Sequence, residues 1–285
     1  MTHKSEQNLN SAITEELLRP IPDSSELRER KKGYREVVID TTTPFFAEPI
    51  VDIASYGIAG QAYYSRPNAV TRDAITGIPQ ALFLRESVAK MLSLINAALS
   101  QPAISSFFNG EVELYIEDAL RPISLQAQLH DVLIPKVLRS QQPEITDEAL
   151  AKRLQDIIAA PSSDPRQPSP HATGGAFDVT LRYKQVSPLF VAGSLLPMGH
   201  RDGEMSERIN PDYFEYTKVH TEADKLARRN RRAYYAIMTG AAFGMQTSFS
   251  NNPTEWWHWS WGDQLWAKLS GNGVAYYSFA DGNYA

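Results

Sequence analysis

The chain has 285 residues, of which 42% are hydrophobic and 21% charged, and its formal net charge is -5. That balance is typical of a globular protein and carries no electrostatic footprint for nucleic acid or an anionic membrane surface. The sequence has no cysteine, which excludes disulfides, thiolate metal sites and cysteine nucleophiles, so any metal must be held by His, Asp or Glu.

Residues 1–45 read as a polar N-terminal arm, partly flexible, in which Pro20 and Pro22 interrupt a short helical pattern around Ile13 to Leu18. No stretch has the apolar core of a signal peptide or the roughly 20 apolar residues of a membrane span, so the expected location is the cytoplasm. From Tyr34 the texture turns β-rich, with Arg35 to Asp40 expected to form a strand before the turn at Thr41 to Pro44. Residues 46–285 have no repeat and no second composition regime, and read as one domain.

Between Pro49 and Pro79 the sequence is loop-like, and its Tyr56, Tyr63 and Tyr64 are expected mainly to pack. Leu84 to Leu99 has the 3.6-residue period, with Val88, Met91, Leu92, Ile95 and Leu99 on one face of a core helix. Glu111 to Glu117 alternates as a half-buried strand that delivers Asp118 and Arg121 to a corner closed by Pro122. Ser124 is expected to cap a helix to about Leu138, and Thr146 a second one to about Ile158. A strand from Ala176 to Tyr183 is followed by a long glycine-punctuated segment containing His200 to Glu207. Thr221 opens a helix whose Arg228, Arg229, Arg231 and Arg232 form a solvated face, and Gly273 to Phe279 closes the fold as a strand.

The sequence lacks HExxH, GxSxG, GxGxxG and GxxxxGK, which removes the simplest routes to a zincin, an α/β-hydrolase, a dinucleotide binder and a P-loop enzyme. His3, His130 and His220 read as ordinary histidines, and His200, in the long glycine-bearing loop, is expected to lie away from the cleft rather than in it. His171 and His258 each have an acidic companion: Asp178 seven residues on, across two glycines, and Glu255 three residues before. Two readings stay open here, a hydrogen-bonded turn with an aromatic core strand, or a metal site. In the second, His171, Asp178 and His258 supply the three protein ligands of a catalytic metal, Glu255 acts as general base, and Arg121 stabilises an oxyanion.

The pattern Ser169-x-His171-x-x-Gly174-x-Ala176-x-Asp178 resembles the SxHxxGxAxD signature of the D-alanyl-D-alanine dipeptidase (VanX-type) family of zinc peptidases. Glu255-Trp256-Trp257-His258 resembles its ExWH signature, and Leu120-Arg121-Pro122 its arginine-proline corner. The resemblance implies one zinc ion held by His171, Asp178 and His258, with Glu255 as general base and then acid, and Arg121 at the scissile carbonyl. It also implies Ser169 and Asp202 as substrate-binding residues and a small dipeptide as substrate, with residues 46–285 as the catalytic domain. After the Met198-Gly199 pair the acid is displaced by one position, which separates His200 to Glu204 from the family pattern.

Alternating strands and helices point to an α+β fold, a mostly antiparallel central sheet flanked by helices. The expected activity is hydrolysis of D-Ala-D-Ala or a related dipeptide. The alternatives are a D,D-carboxypeptidase acting on longer peptides and a non-catalytic, zinc-stabilised binding module.

Overall fold

The structure, a computed structural model, describes residues 3–185 and 191–280, with side chains from residue 8 onward. The side chain of His3, residues 186–190 of the glycine-punctuated segment and residues 281–285 lie outside the described residues. In chain order the elements are α1 (His3–Leu18), α2 (Ser25–Lys31), β1 (Ile50–Asp52), β2 (Ala59–Gly60), β3 (Phe83–Arg85), α3 (Glu86–Ala98), α4 (Pro102–Phe108), β4 (Val112–Asp118), α5 (Ile123–Gln128), α6 (Ile134–Gln141), α7 (Asp147–Ile157), β5 (Ala176–Tyr183), α8 (Tyr213–Tyr216), α9 (Glu222–Met238), β6 (Ser250–Asn251), β7 (His258–Ser260) and α10 (Gln264–Ser270).

Five strands form the central sheet in the order β2-β4-β5-β7-β6, and β1 pairs with β3 in a small second sheet. Every pair is antiparallel except β2 with β4, so the architecture is the expected α+β. Leu114 and Ile116 of β4 and Phe177, Val179 and Leu181 of β5 are buried in one core with Val88, Leu92 and Ile95 of α3 and Tyr234 and Ile237 of α9. Burying each such side chain is worth about 1.5–3 kcal/mol. The Tyr234 hydroxyl donates to Val179 O at 2.7 Å, satisfying its polar end inside this core. A smaller cluster, including Leu129, Leu138, Leu150 and Ile157, packs α5, α6 and α7 together. Among the described residues, no helix is long and apolar enough to cross a membrane.

The N-terminal segment packs more closely than its polarity suggested. Ile13 and Leu17 of α1 join the main core, and Ser24 and Arg28 bond to buried Asp212. Three apolar residues, with Ile21 the third, and two polar anchors hold a segment whose average composition is hydrophilic. The expected strand at Arg35 to Asp40 is instead a 3-10 turn at Tyr34–Glu36 followed by a single bridge from Ile39 to Ala275. Gln264 Nε2 donates to Arg35 O and Val37 O, so these carbonyls are bonded to a side chain and not to a neighbouring strand. The closing strand reduces to the same bridge, since Tyr276 N and Tyr277 N both donate to Gly262 O.

Ser124 is not a cap. The helix starts one residue after Pro122, so Ser124 falls inside its first turn. The run to Gln141 then contains a widened π-turn at Leu129–Leu133, just before Pro135, whose missing N–H and bulky ring disrupt the ordinary helical bonding. Thr146 does cap α7, accepting from Ala149 N at 3.2 Å. The arginines of α9 are not a solvated face either. Arg231 is 1% exposed and donates to Met198 O, Asn210 O and Arg208 O, while Arg232 pairs with Glu215 and Arg229 lies over the Phe107 ring.

Candidate active site and metal centre

Sheet register assembles the site. Asp178 on β5 lies opposite Asp118 on β4 and opposite His258 on β7, giving a row across three strands. A β-bulge makes the first pairing possible: Ile116 pairs with Val179 and Asp118 with Asp178, so Glu117 is the extra residue. His171 arrives from a 3-10 turn at Pro170–Thr173 that ends in Gly174 at φ 72°. The positive φ favours glycine, and a Cβ on Gly174 would stand 2.7 Å from Ile50 Cδ1, so that side chain would have to move aside.

His171 Nε2 is 3.1 Å from His258 Nδ1 and 3.5 Å from Asp178 Oδ1, and the latter two atoms are 3.2 Å apart. Three donors placed tetrahedrally at about 2.0–2.1 Å from a metal ion would be about 3.3–3.4 Å from one another, so this triangle has the size a metal requires. Two further observations fit a cation. Asp178 Oδ1 is buried and has no hydrogen-bond partner among the described residues. His171 Nδ1 lies 2.8 Å from Ala119 O, which fixes its proton there and leaves the Nε2 lone pair facing the triangle. The three residues form a group that could hold a metal ion. Burial alone would raise the Asp178 carboxyl, but the two imidazoles hold it well below the usual carboxylate range.

Glu255 Oε2 stands 3.8 Å from His258 Nδ1 and accepts from Asn252 Nδ2 at 2.9 Å. Its carboxyl is raised by burial, against the opposing pull of His258, Lys31 and Arg121. Arg121, 7% exposed, donates through Nε and an Nη to Asp118 Oδ2 at 2.9 and 2.6 Å, and through its other Nη to Gln126 Oε1 at 2.7 Å. It lies 3.8 Å from Asp178. All five residues face one cavity of about 620 Å³.

Asp202 also reaches this cavity, at an exposed rim position where it accepts from the Tyr63 hydroxyl and from Ala69 N. Ser169 is 2% exposed, and at this turn the cavity wall is formed by Pro170 and His171. His200 does line the cavity, with its ring 5.1 Å from Trp257 and 5.3 Å from Trp256. Burial first, and Arg231 second, push it down to about 4, so it is neutral at neutral pH.

Sequence reasoning missed several members. Glu117, 2.8 Å from Arg66, faces the cavity from the bulge, and burial pushes its carboxyl up to about 7. Asp118 and Gln126 hold Arg121, and Lys31 and Tyr34 come from the N-terminal segment. Tyr63 and Tyr64, expected to pack, are wall residues too. Only the closeness of Asp118 to Arg121, three positions apart, was a usable signal.

Three imidazole and carboxylate donors that could hold a metal ion, in a cleft of an α+β fold with a buried carboxylate beside them and a guanidinium nearby, are the parts that a metal-dependent hydrolase requires. The family model for peptidase M15, D-Ala-D-Ala dipeptidase, matches residues 52–275, and the chain belongs to that family. A D-alanyl-D-alanine dipeptidase of Synechocystis sp. is 31% identical over 165 residues, a match covering 54% of this chain and 62% of that protein.

Proposed function

We propose that the protein is a zinc-dependent dipeptidase, acting in the cytoplasm on D-Ala-D-Ala or a closely related small dipeptide. The observation that carries this reading is the triangle of His171 Nε2, Asp178 Oδ1 and His258 Nδ1 with Glu255 beside it, in a chain of this family. His171, Asp178 and His258 would hold the ion. When bound, zinc supplies a Lewis acid for the scissile carbonyl and acidifies a coordinated water.

The chain's own residues do the rest. Glu255, made more basic by burial, takes the proton of the attacking water and delivers it to the leaving amine. Arg121 turns its remaining N–H groups toward the oxygen that gains charge as the carbonyl carbon becomes tetrahedral. Asp202 at the rim offers a carboxylate to the substrate's ammonium group.

One observation favours a second reading, a carboxypeptidase acting on longer peptides. A cavity of about 620 Å³ exceeds what two alanine residues fill. Zinc-loaded protein is expected to release D-Ala from D-Ala-D-Ala, and a Glu255→Ala variant with equal zinc content to be slower by at least about a hundredfold. Equal rates in the two would sink the mechanism, and faster turnover of a pentapeptide ending in D-Ala-D-Ala would select the carboxypeptidase.

A further inference from the structure

The family match begins at residue 52, yet part of the cavity wall comes from before it, in Lys31 and Tyr34. Lys31 Nζ donates to Asp156 O at 2.8 Å, Thr254 Oγ1 at 2.9 Å and Asn252 Oδ1 at 3.0 Å. An ammonium has three donors, and all three are used. Asn252 in turn donates its Nδ2 to Glu255 Oε2 at 2.9 Å.

The direction of the Asn252 amide follows from these neighbours. Turned over, its NH₂ would face the ammonium and its oxygen would face the carboxylate, both repulsive contacts. As it stands, each end meets its complement. The backbone reinforces the arrangement, since Asn252 N donates to His258 O and Glu255 N donates to Asn252 O. Glu255 Oε1 makes no hydrogen bond among the described residues, while Oε2 is tied to the amide.

We propose that Lys31 is a positioning residue for the hydrolytic reaction: it locks the Asn252 amide, which anchors Glu255 Oε2 and so holds the carboxylate that exchanges the proton with water beside His258. The N-terminal segment is thereby part of the active site. This inference rests on the peptidase reading above, with Glu255 as the base.

The test uses the full chain. Lys31→Met is expected to lower kcat on D-Ala-D-Ala by about tenfold or more, with KM within about twofold and zinc content unchanged. Asn252→Ala should lose a similar amount, and the double variant little more than either single one, because the two residues act in series. In Lys31→Ala, added methylammonium should restore part of kcat and tetramethylammonium, which has no N–H, none. A kcat for Lys31→Met within about twofold of wild type, or losses that multiply in the double variant, would overturn the proposal. Lys31→Gln serves in its place should the methionine variant fail to fold.

A readout without catalysis separates this inference from the peptidase reading. In zinc-free ¹⁵N-labelled protein the two Asn252 side-chain amide protons should be well separated in shift, and should converge in Lys31→Met. Unchanged shifts would overturn the lock whatever the wild-type chain hydrolyses. Converging shifts in a chain that cleaves no dipeptide would keep the lock and discard the peptidase.

Discussion

Arg121 has five N–H donors, and Asp118 and Gln126 engage three of them. Two remain, and the tethers on the other three keep the guanidinium from folding onto Asp178, 3.8 Å away. Replacing Asp118 by Asn removes the charge that holds two of those bonds, each worth about 1.5–3 kcal/mol when charge-assisted. Asp118→Asn is therefore expected to lower kcat/KM for D-Ala-D-Ala by about tenfold or more while leaving zinc content intact; a variant as fast as wild type would show that Arg121 needs no tether. The group of His171, Asp178 and His258, which could hold a metal ion, was legible in the sequence because its members sit in two short motifs with fixed internal spacing. Lys31 and Asn252 were not legible, because 221 positions separate them and neither residue type is unusual in a polar stretch. Their chemistry exists only once the chain is folded.

At the scale of elements, the register of β4, β5 and β7 was the hidden variable. Alternation in Glu111 to Glu117 gave the strand correctly, but a regular alternation would turn Glu117 and Asp118 to opposite faces. The bulge breaks that rule and lets both serve the same site, Glu117 at the cavity wall and Asp118 behind Arg121. The turn that brings in His171 depends on Gly174 in the same way. Gly174→Ala must adopt a left-handed backbone, at about 1–2 kcal/mol, and also displace Ile50. A fall of several degrees in melting temperature is expected, with weaker zinc retention, and an unshifted melting curve would count against the strained geometry. The two lost strands show bonding that no periodicity encodes: a side chain, Gln264, holds the carbonyls of Arg35 and Val37, and the successive amides of Tyr276 and Tyr277 both turn to the Gly262 carbonyl.

For the whole molecule, the buried charges set how stability responds to pH. Below its ordinary value of 4.5 Glu117 is protonated whether the chain is folded or not; between there and about 7 only the folded chain holds the proton. Its stabilising contribution is therefore complete below 4.5 and is lost as pH rises through about 7. Wild-type melting temperature should fall between about pH 5 and about pH 8 by more than that of Glu117→Gln, and parallel curves would rule out the raised carboxyl. The tight packing of residues before 52 belongs to this scale too. A mean composition cannot reveal that Ile13, Leu17 and Ile21 are buried while their neighbours stay wet.

Gln264 ties this scale to the others. Its Nε2 contacts Arg35 O, Val37 O and Arg166 O, and so joins α10 to the N-terminal segment and to the loop that ends three residues later at Ser169. The loop that leads into the His171 turn, the leading segment and the last helix thus share one side-chain amide, and Gln264→Ala is expected to loosen all three contacts together.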